Sequence, residues 1–241
     1  MNGIIREERI GGQRLILGDC LAVMQELGRF DAVVTDPPYG IGEHGGKKRF
    51  GPASAARGFA SNKDYARKGW DAEPVSEAAI SAVVAASDKA IIWGANHFIT
   101  RIGLDSPCWL VWHKKGADRS SFADCELAWT NLPGAVRYFK LDWVGFGAIN
   151  SGEVRLHPTQ KPLPLMEWCL GFLPDARTIL DPFAGSGTTA VACERMGRQC
   201  TAIELDPDYF EIMCRRVDEA TRQPDLFVAP VAQPQQEGLG L

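Results

Sequence analysis

The sequence predicts an α/β fold with a largely parallel sheet, and two observations support this prediction. Short apolar runs end in loops that are rich in Asp, Gly or Pro, and they alternate with segments of helical apolar spacing. Two of these loops are distinctive: Asp36-Pro37-Pro38-Tyr39, and a glycine-rich loop over residues 181–189. Because ligands of open α/β sheets bind at the carboxyl ends of the strands, we expect the two loops to share one site.

The individual elements follow from the same patterns. Predicted strands cover residues 15–19, 30–35, 90–94, 109–112, 126–129, 136–139, 178–180 and 200–203. Predicted helices cover residues 20–27, 74–87, 96–102, 157–172, 188–196 and 207–222. In residues 74–87, for example, apolar side chains recur at 75, 79, 80, 83 and 84, and Pro74 suits a first helical turn. The turn Asn131-Leu132-Pro133-Gly134 separates the two strands that flank it.

Length and composition predict a single domain over residues 1–222 and a disordered tail over residues 223–241, which holds three prolines with several Gln and Gly. No apolar run is long enough to cross a bilayer, so no membrane partner is expected. The seven cysteines are odd in number and form no CxxC pair, which argues against a zinc site or a disulfide framework. We therefore expect a cytoplasmic protein without a metal, either a monomer or a homodimer.

The formal net charge of −4 argues mildly against a nucleic-acid partner, but the charge is unevenly distributed. A Gly-, Ser- and Ala-rich stretch over residues 41–70 has no sustained period and is expected to be a mobile loop. It carries the predicted DNA contacts, Lys47, Lys48, Arg49, Arg57, Lys63, Arg67 and Lys68, against two acidic residues. The alternative is a solvated linker.

The loop Asp36-Pro37-Pro38-Tyr39 has a specific chemical interpretation. The exocyclic amine of adenine or cytosine is a poor nucleophile, since its lone pair is delocalised into the ring. The Asp36 carboxylate and the Pro37 carbonyl could accept both N–H groups and draw the nitrogen toward tetrahedral geometry, while Pro38 keeps the loop stiff. Tyr39 offers a ring on which an extruded base could stack. The alternative is a proline turn after a strand.

The glycine loop resembles a nucleoside site. Its predicted ligand contacts are Asp181, Pro182, Phe183, Ala184, Gly185, Ser186 and Gly187. It lacks the third glycine of the dinucleotide pattern and the lysine of a P-loop, so a nucleoside without pyrophosphate fits best. Glu204 ends the next predicted strand, where an acid can bind ribose hydroxyls. S-adenosylmethionine is the expected ligand, and the alternative is a tight strand-to-helix turn.

Together, Asp-Pro-Pro-Tyr and Phe183-x-Gly185-x-Gly187 resemble the amino-group DNA methyltransferases that use S-adenosylmethionine. The order of the two loops is similar to the circularly permuted, β-type members of that family. The resemblance implies a Rossmann-like, seven-stranded mixed sheet with helices on both faces. It also implies that Asp19 contacts the cofactor adenine, and that Thr159 and Lys161 lie near the methionine carboxylate. A short target-recognition region is expected over residues 131–156.

The resulting hypothesis is a site-specific DNA methyltransferase that acts on the N6 amine of adenine and extrudes the target base. Asp before Pro-Pro-Tyr favours adenine within the family, but N4 of cytosine stays open. Two further alternatives are an N-methyltransferase for RNA or a protein amide, and a non-catalytic DNA-binding module. The sequence defines neither a recognition site nor a restriction-modification partner.

Overall fold

The computed structural model of the protein describes residues 3–41, 73–114, 123–141 and 160–222, together with the backbone of residues 143–144 and 147–148. Eleven strands lie in this part of the chain. They are β1 (Ile4–Ile10), β2 (Gln13–Gly18), β3 (Ala32–Thr35), β4 (Ala90–Trp93), β5 (Leu110–His113), β6 (Cys125–Thr130), β7 (Arg137–Lys140), β8 (Trp143–Val144), β9 (Gly147–Ala148), β10 (Thr178–Asp181) and β11 (Gln199–Glu204).

Nine of these strands form one mixed sheet in the order β1-β2-β11-β10-β3-β4-β6-β5-β7. The five strands from β2 to β4 in this order are mutually parallel, whereas β6 runs antiparallel to both of its neighbours. The short strands β8 and β9 pair separately. The α/β fold with a mixed sheet is therefore confirmed. Because its central strands are parallel, their carboxyl ends all lie on the same side of the sheet.

The sheet has nine strands rather than the seven that the family resemblance implies. The sequence patterns did not predict β1, which pairs antiparallel with β2 around a turn at Gly11, where φ is +57°. Its centre reads Arg6-Glu7-Glu8-Arg9, because an edge strand has only one neighbour and can leave its charged side chains in water. The strand therefore lacks the apolar run by which buried strands were identified.

Six α-helices are present in the described part of the chain, and most begin or end within a few residues of the prediction. They are α1 (Cys20–Met24), α2 (Glu77–Ala85), α3 (Ile99–Ile102), α4 (Leu163–Gly171), α5 (Thr188–Arg195) and α6 (Pro207–Arg222). Helix α2 begins later than Pro74 because Ser76 caps it, accepting a hydrogen bond from the amide of Ala79. Helix α4 begins only after Pro162, so residues 160–162 are free of helical geometry.

Alternate residues of the central strands enter two separate cores, one on each face of the sheet. Val34 and Ile91 belong to the core under α4, α5 and α6, and Val33 and Ile92 belong to the core under α2 and α3. Helices therefore cover both faces, as predicted. With both faces covered by helices, the carboxyl edge of the parallel strands is where a ligand is expected to bind.

Within the described residues, no helix is both long and apolar enough to span a membrane.

Candidate active site

Four acidic residues mark the carboxyl ends of four adjacent parallel strands. Asp19 follows β2, Glu204 ends β11, Asp181 ends β10 and Asp36 follows β3. The strand register offsets neighbouring acids by two residues, since Glu204 pairs with Leu17 and Asp181 pairs with Ala202. The two distinctive loops thus lie side by side at one edge of the sheet, as the sequence predicted.

A buried hydrogen bond links the two loops directly. The Thr35 hydroxyl, at the end of β3, donates to Asp181 Oδ1 at the end of β10 over 2.7 Å. Both residues are buried, and the same carboxylate oxygen accepts the amide of Phe183 at 3.2 Å. The position of Asp36, next in the chain after Thr35, is therefore tied to the start of the glycine loop.

The Asp-Pro-Pro-Tyr loop is fastened to the segment that precedes α2. The Pro38 carbonyl accepts the amide of Val75 at 3.1 Å, and Tyr39 forms an isolated bridge with Pro74. Gly40 has φ of +74°, and a Cβ there would lie 2.4 Å from Pro74. The stiffness expected from two prolines is thus reinforced by a second segment packed against the loop.

Tyr39 is engaged through both its hydroxyl and its ring. The hydroxyl donates to Asp36 Oδ1 at 2.5 Å, and the ring stacks on His97 with centroids 5.0 Å apart and planes inclined by 13°. A Cβ on Gly94 would lie 1.8 Å from the Tyr39 ring, so only glycine permits this approach. The ring thus lies in a close fit beside the end of β4, with one neighbour already stacked on it.

Lys161 connects Asp36 to a second carboxylate. Its Nζ lies 2.5 Å from Asp36 Oδ2, 3.0 Å from the Tyr39 hydroxyl and 3.1 Å from Glu126 Oε2. Glu126, near the start of β6, also pairs with Lys114 at the end of β5. The side chain of Lys161 is only 6% exposed and those of Asp36 and Glu126 are 18% and 19% exposed, so the ions attract in a poorly solvated setting.

The pKa values in this cluster follow from burial and from the neighbouring ions. Burial raises the pKa of Asp36, and the attraction of Lys161 offsets only part of that effect. Burial also disfavours the charged form of Glu126, but Lys161 and Lys114 hold its pKa at about 2. Burial disfavours the ammonium of Lys161 too, yet the two carboxylates outweigh it and raise its pKa. Lys161 is therefore a cation locked between two acids.

The glycine loop is shaped by left-handed glycines and by a carboxylate. Gly185 and Gly187 have φ of +54° and +80°, and a Cβ on Gly187 would meet the Met213 side chain at 2.6 Å. The Gly185 amide donates to Glu204 Oε2 at 2.7 Å, and the Asp206 amide donates to Glu204 Oε1 at the same distance. Glu204 therefore has a fixed orientation, with further lone pairs on each oxygen.

Side chains from outside the glycine loop contact the loop at Ser186 and at Thr188, where α5 begins. Arg216 on α6 donates to the Ser186 carbonyl at 2.7 Å and to the Thr188 hydroxyl at 3.1 Å. The Ser186 hydroxyl in turn donates to Gln160 Oε1 at 3.3 Å. The loop is thereby connected to the segment that carries Lys161.

Two strand-end acids in this region have a raised pKa. Burial raises the pKa of Glu204 to about 7, against the opposing effect of the two amides it accepts. Burial likewise raises the pKa of Asp181 to about 6, although hydrogen bonds from Thr189 and Thr35 oppose it. Perturbed carboxylates at a strand edge are frequent in binding sites.

The structure brings together most of the residues that the sequence singled out. Asp36, Pro37, Pro38 and Tyr39 adjoin Asp181, Pro182, Phe183, Ala184, Gly185, Ser186, Gly187 and Glu204. Asp19 is exposed and caps α1 by accepting the amide of Ala22 at 3.0 Å. Lys161, which the resemblance places near the methionine carboxylate, forms an ion pair with Asp36 over 2.5 Å. Thr159 and the seven basic residues predicted to contact DNA lie outside the described residues.

Sequence reasoning overlooked three participants, namely Thr35, Glu126 and His97. A carboxylate at the start of the buried strand Glu126-Leu127-Ala128-Trp129 was a usable signal, since an unpaired acid is rarely tolerated there. Thr35 gave no signal, because threonine is ordinary in a strand. His97 gave no signal either, because nothing along the chain indicates that its ring stacks on Tyr39.

The fold is Rossmann-like, and solved structures of DNA methyltransferases share it. A crystal structure of M1.HpyAVI in complex with SAM superposes with a TM-score of 0.52 at 22% identity, over 85% of this chain and 99% of that chain. A PvuII DNA methyltransferase described as cytosine-N4-specific superposes with a TM-score of 0.57 at 13% identity, over 91% and 94%. At these identities the likeness concerns the fold alone.

Sequence comparison matches part of the chain to a known family. The model of the family described as DNA methylase, of the N6/N4 type, matches residues 109–215. The type II methyltransferase M2.DpnII of Streptococcus pneumoniae is 43% identical over 63 residues, which is 26% of this chain and 24% of the relative. These matches support the resemblance to the amino-group methyltransferases over residues 109–215. The match spans about a quarter of the length of that relative.

Proposed function

We propose that the protein transfers the methyl group of S-adenosylmethionine to the N6 amine of adenine in DNA. The observation that carries this proposal is the hydrogen bond between Thr35 and Asp181, which connects the loop that begins at Asp36 to the glycine loop. An amine bound at one loop would face a ligand bound at the other. The match of residues 109–215 to the DNA methylase family supports the same reaction class.

The residues at the carboxyl edge fit the proposed cofactor. Glu204 is oriented by two amides and has free lone pairs that could accept ribose hydroxyls. The glycine loop would lie along the nucleoside, and Asp19 would contact the adenine as the resemblance implies. When bound, the cofactor supplies an electrophilic methyl group on a sulfonium. M1.HpyAVI, a protein of the same fold, forms a complex with SAM in the crystal, which supports this choice.

The protein's contribution to chemistry is made at Asp36. Its carboxylate and the Pro37 carbonyl would accept the two N–H groups of the target amine, which localises the lone pair on nitrogen. The Tyr39 hydroxyl donates to Asp36 Oδ1 and Lys161 donates to Oδ2, which orients the carboxylate and leaves a further lone pair on each oxygen for the target amine.

N4 of cytosine is the second candidate target. Its amine poses the same problem of a delocalised lone pair, and the PvuII enzyme of similar fold is described as cytosine-N4-specific. Adenine is favoured by Asp36 at the first position of the loop.

The seven cysteines, all unpaired, support a reducing compartment and so a cytoplasmic location for the enzyme.

The test is a nucleoside analysis combined with one variant. DNA from cells that express the protein should contain N6-methyladenine by mass spectrometry, and the purified protein should transfer labelled methyl groups to duplex DNA but not to RNA or protein. Replacing Asp36 with Ala should reduce methyl transfer by about 10²–10³-fold, as expected when a preorganised transition-state contact is lost. N4-methylcytosine would favour the second candidate, and full activity of the Asp36→Ala variant would refute the catalytic role.

A further inference from the structure

Lys161 contacts both Asp36 and Glu126, and this arrangement is not explained by a role at the cofactor. The three charged groups alternate in sign and continue to a fourth, since Lys114 pairs with the other oxygen of Glu126. Each member comes from a different element: the loop after β3, the segment before α4, strand β6 and the end of β5. Such a chain fixes the position of its central cation from two sides.

We propose that Lys161 is a positioning residue for Asp36, holding the carboxylate in place and ionised, while Glu126 holds Lys161. This inference rests on the proposed function, because it gives Asp36 the task of accepting the target amine. It differs from the expectation that Lys161 binds the methionine carboxylate of the cofactor. The distances favour the new role, since the Lys161 ammonium already has three oxygen neighbours within 3.1 Å.

The physical need for such a residue lies in the burial of Asp36. A protonated carboxyl group loses one acceptor oxygen, and a carboxylate in a poorly solvated site is favoured to take up a proton unless a cation opposes it. In the described part of the chain, the groups that face Asp36 are the Tyr39 hydroxyl on its own loop, Lys161 before α4, Glu126 on β6 and Asp181 on β10. Among these, Lys161 is the one cation, so it alone stabilises the ionised form by charge.

The proposal is tested with two variants that change the charge around Asp36 in opposite directions. Lys161→Met removes the cation, so the pKa of Asp36 should rise. Glu126→Gln removes the nearby anion, so the pKa of Asp36 should fall. Lys161→Arg retains the charge and serves as the control for packing. A merely structural role would not move the two titrations in opposite directions.

Two readouts are needed on the purified full chain. The first is the titration of the Asp36 carboxyl carbon by ¹³C NMR in the free protein. The second is the pH profile of methyl transfer to DNA. In Lys161→Met both the titration and the acidic limb should move up by roughly one to three pH units, and in Glu126→Gln they should move down. At neutral pH, Lys161→Met should slow transfer about a hundredfold, as a misplaced catalytic group does.

The outcomes separate this inference from the proposed function. If the wild-type protein transfers no methyl group to any nucleic acid, the proposed function fails, whereas the NMR titrations still test the ion cluster. An unmoved Asp36 titration in Lys161→Met overturns the inference. So does a loss of S-adenosylmethionine affinity, measured by calorimetry, with an unchanged pH profile, since that result returns Lys161 to the cofactor. If Lys161→Met does not fold, Glu126→Gln and Lys161→Arg still decide the direction of the titration.

Discussion

The hydroxyl of Thr35 and the carboxylate of Asp181 meet across neighbouring strands, 2.7 Å apart and buried. One residue precedes the amine-binding loop that we propose, and the other begins the glycine loop. A single hydrogen bond thus couples the two halves of the site. Its removal should affect both stability and ligand binding.

Replacing Thr35 with Val retains the shape of the side chain but leaves Asp181 with one donor fewer. We expect the free energy of unfolding to fall by about 1.5–3 kcal/mol, the usual contribution of a hydrogen bond to a charged group. The affinity for S-adenosylmethionine should fall as well, because Asp181 also holds the Phe183 amide of the glycine loop. Urea unfolding and calorimetric titration measure the two effects.

The matched control is Thr130→Val. Thr130 is equally buried on β6, and its hydroxyl donates to the Cys108 carbonyl at 2.6 Å, away from the glycine loop. This variant should lose stability without losing cofactor affinity. Equal losses of affinity in both variants would show that Thr35 has no particular connection to the site.

Gly94 and Gly103 allow backbone strain to be separated from steric displacement of Tyr39. Both have nearly the same φ, +68° and +65°, but a Cβ would overlap the Tyr39 ring only at Gly94. Replacement by Ala should cost each variant about 1 kcal/mol of stability from the left-handed backbone. Only Gly94→Ala should displace Tyr39 and abolish most methyl transfer, and similar activity in the two variants would contradict the proposed role of Tyr39.

Glu204 should make stability depend on pH in a predictable direction. Its pKa is raised from 4.5 to about 7 in the folded protein, so the folded state retains a proton that the unfolded state has lost between these values. Its contribution is fully present below pH 4.5 and is lost as the pH rises through about 7. Wild type should therefore lose more stability between pH 5 and pH 8 than Glu204→Gln in urea unfolding, and parallel curves would contradict this assignment.

The predicted contacts of the basic loop to DNA lie outside the described residues, so they are testable only in solution. Replacing Lys47, Lys48 and Arg49 with Ala should weaken DNA binding and reduce the slope of log K against log salt by up to about 2.7, or 0.9 per phosphate contact. The control with the same charge change is Arg29, Lys89 and Arg177, which precede strands β3, β4 and β10 at the opposite edge of the sheet. Equal effects of the two sets of substitutions on DNA binding would show that Lys47, Lys48 and Arg49 do not contact DNA.

The sequence predicted the parallel centre of the fold well, because its buried strands are continuous apolar runs that end in distinctive loops. The adjacency of Asp36 and Asp181 followed from this pattern alone, without knowledge of the strand order. The edge strand β1 was missed because its charged residues carry no such pattern. Strand order near β5, β6 and β7 depends on tertiary packing, which spacing along the chain does not encode.

Within the site, the sequence identified residues whose type is unusual for its position, such as two consecutive prolines or closely spaced glycines. It could not show what each side chain contacts. Lys161 is 125 residues from Asp36 in the chain, and only the folded sheet brings the two together. The same holds for Glu126, whose partners come from two other elements.

The double engagement of Asp36 has a consequence for selectivity. Because the Tyr39 hydroxyl and the Lys161 ammonium each donate to one of its oxygens, a target amine must fit the lone-pair directions that these two donors leave. The carboxylate thereby discriminates among amines by the direction from which they approach.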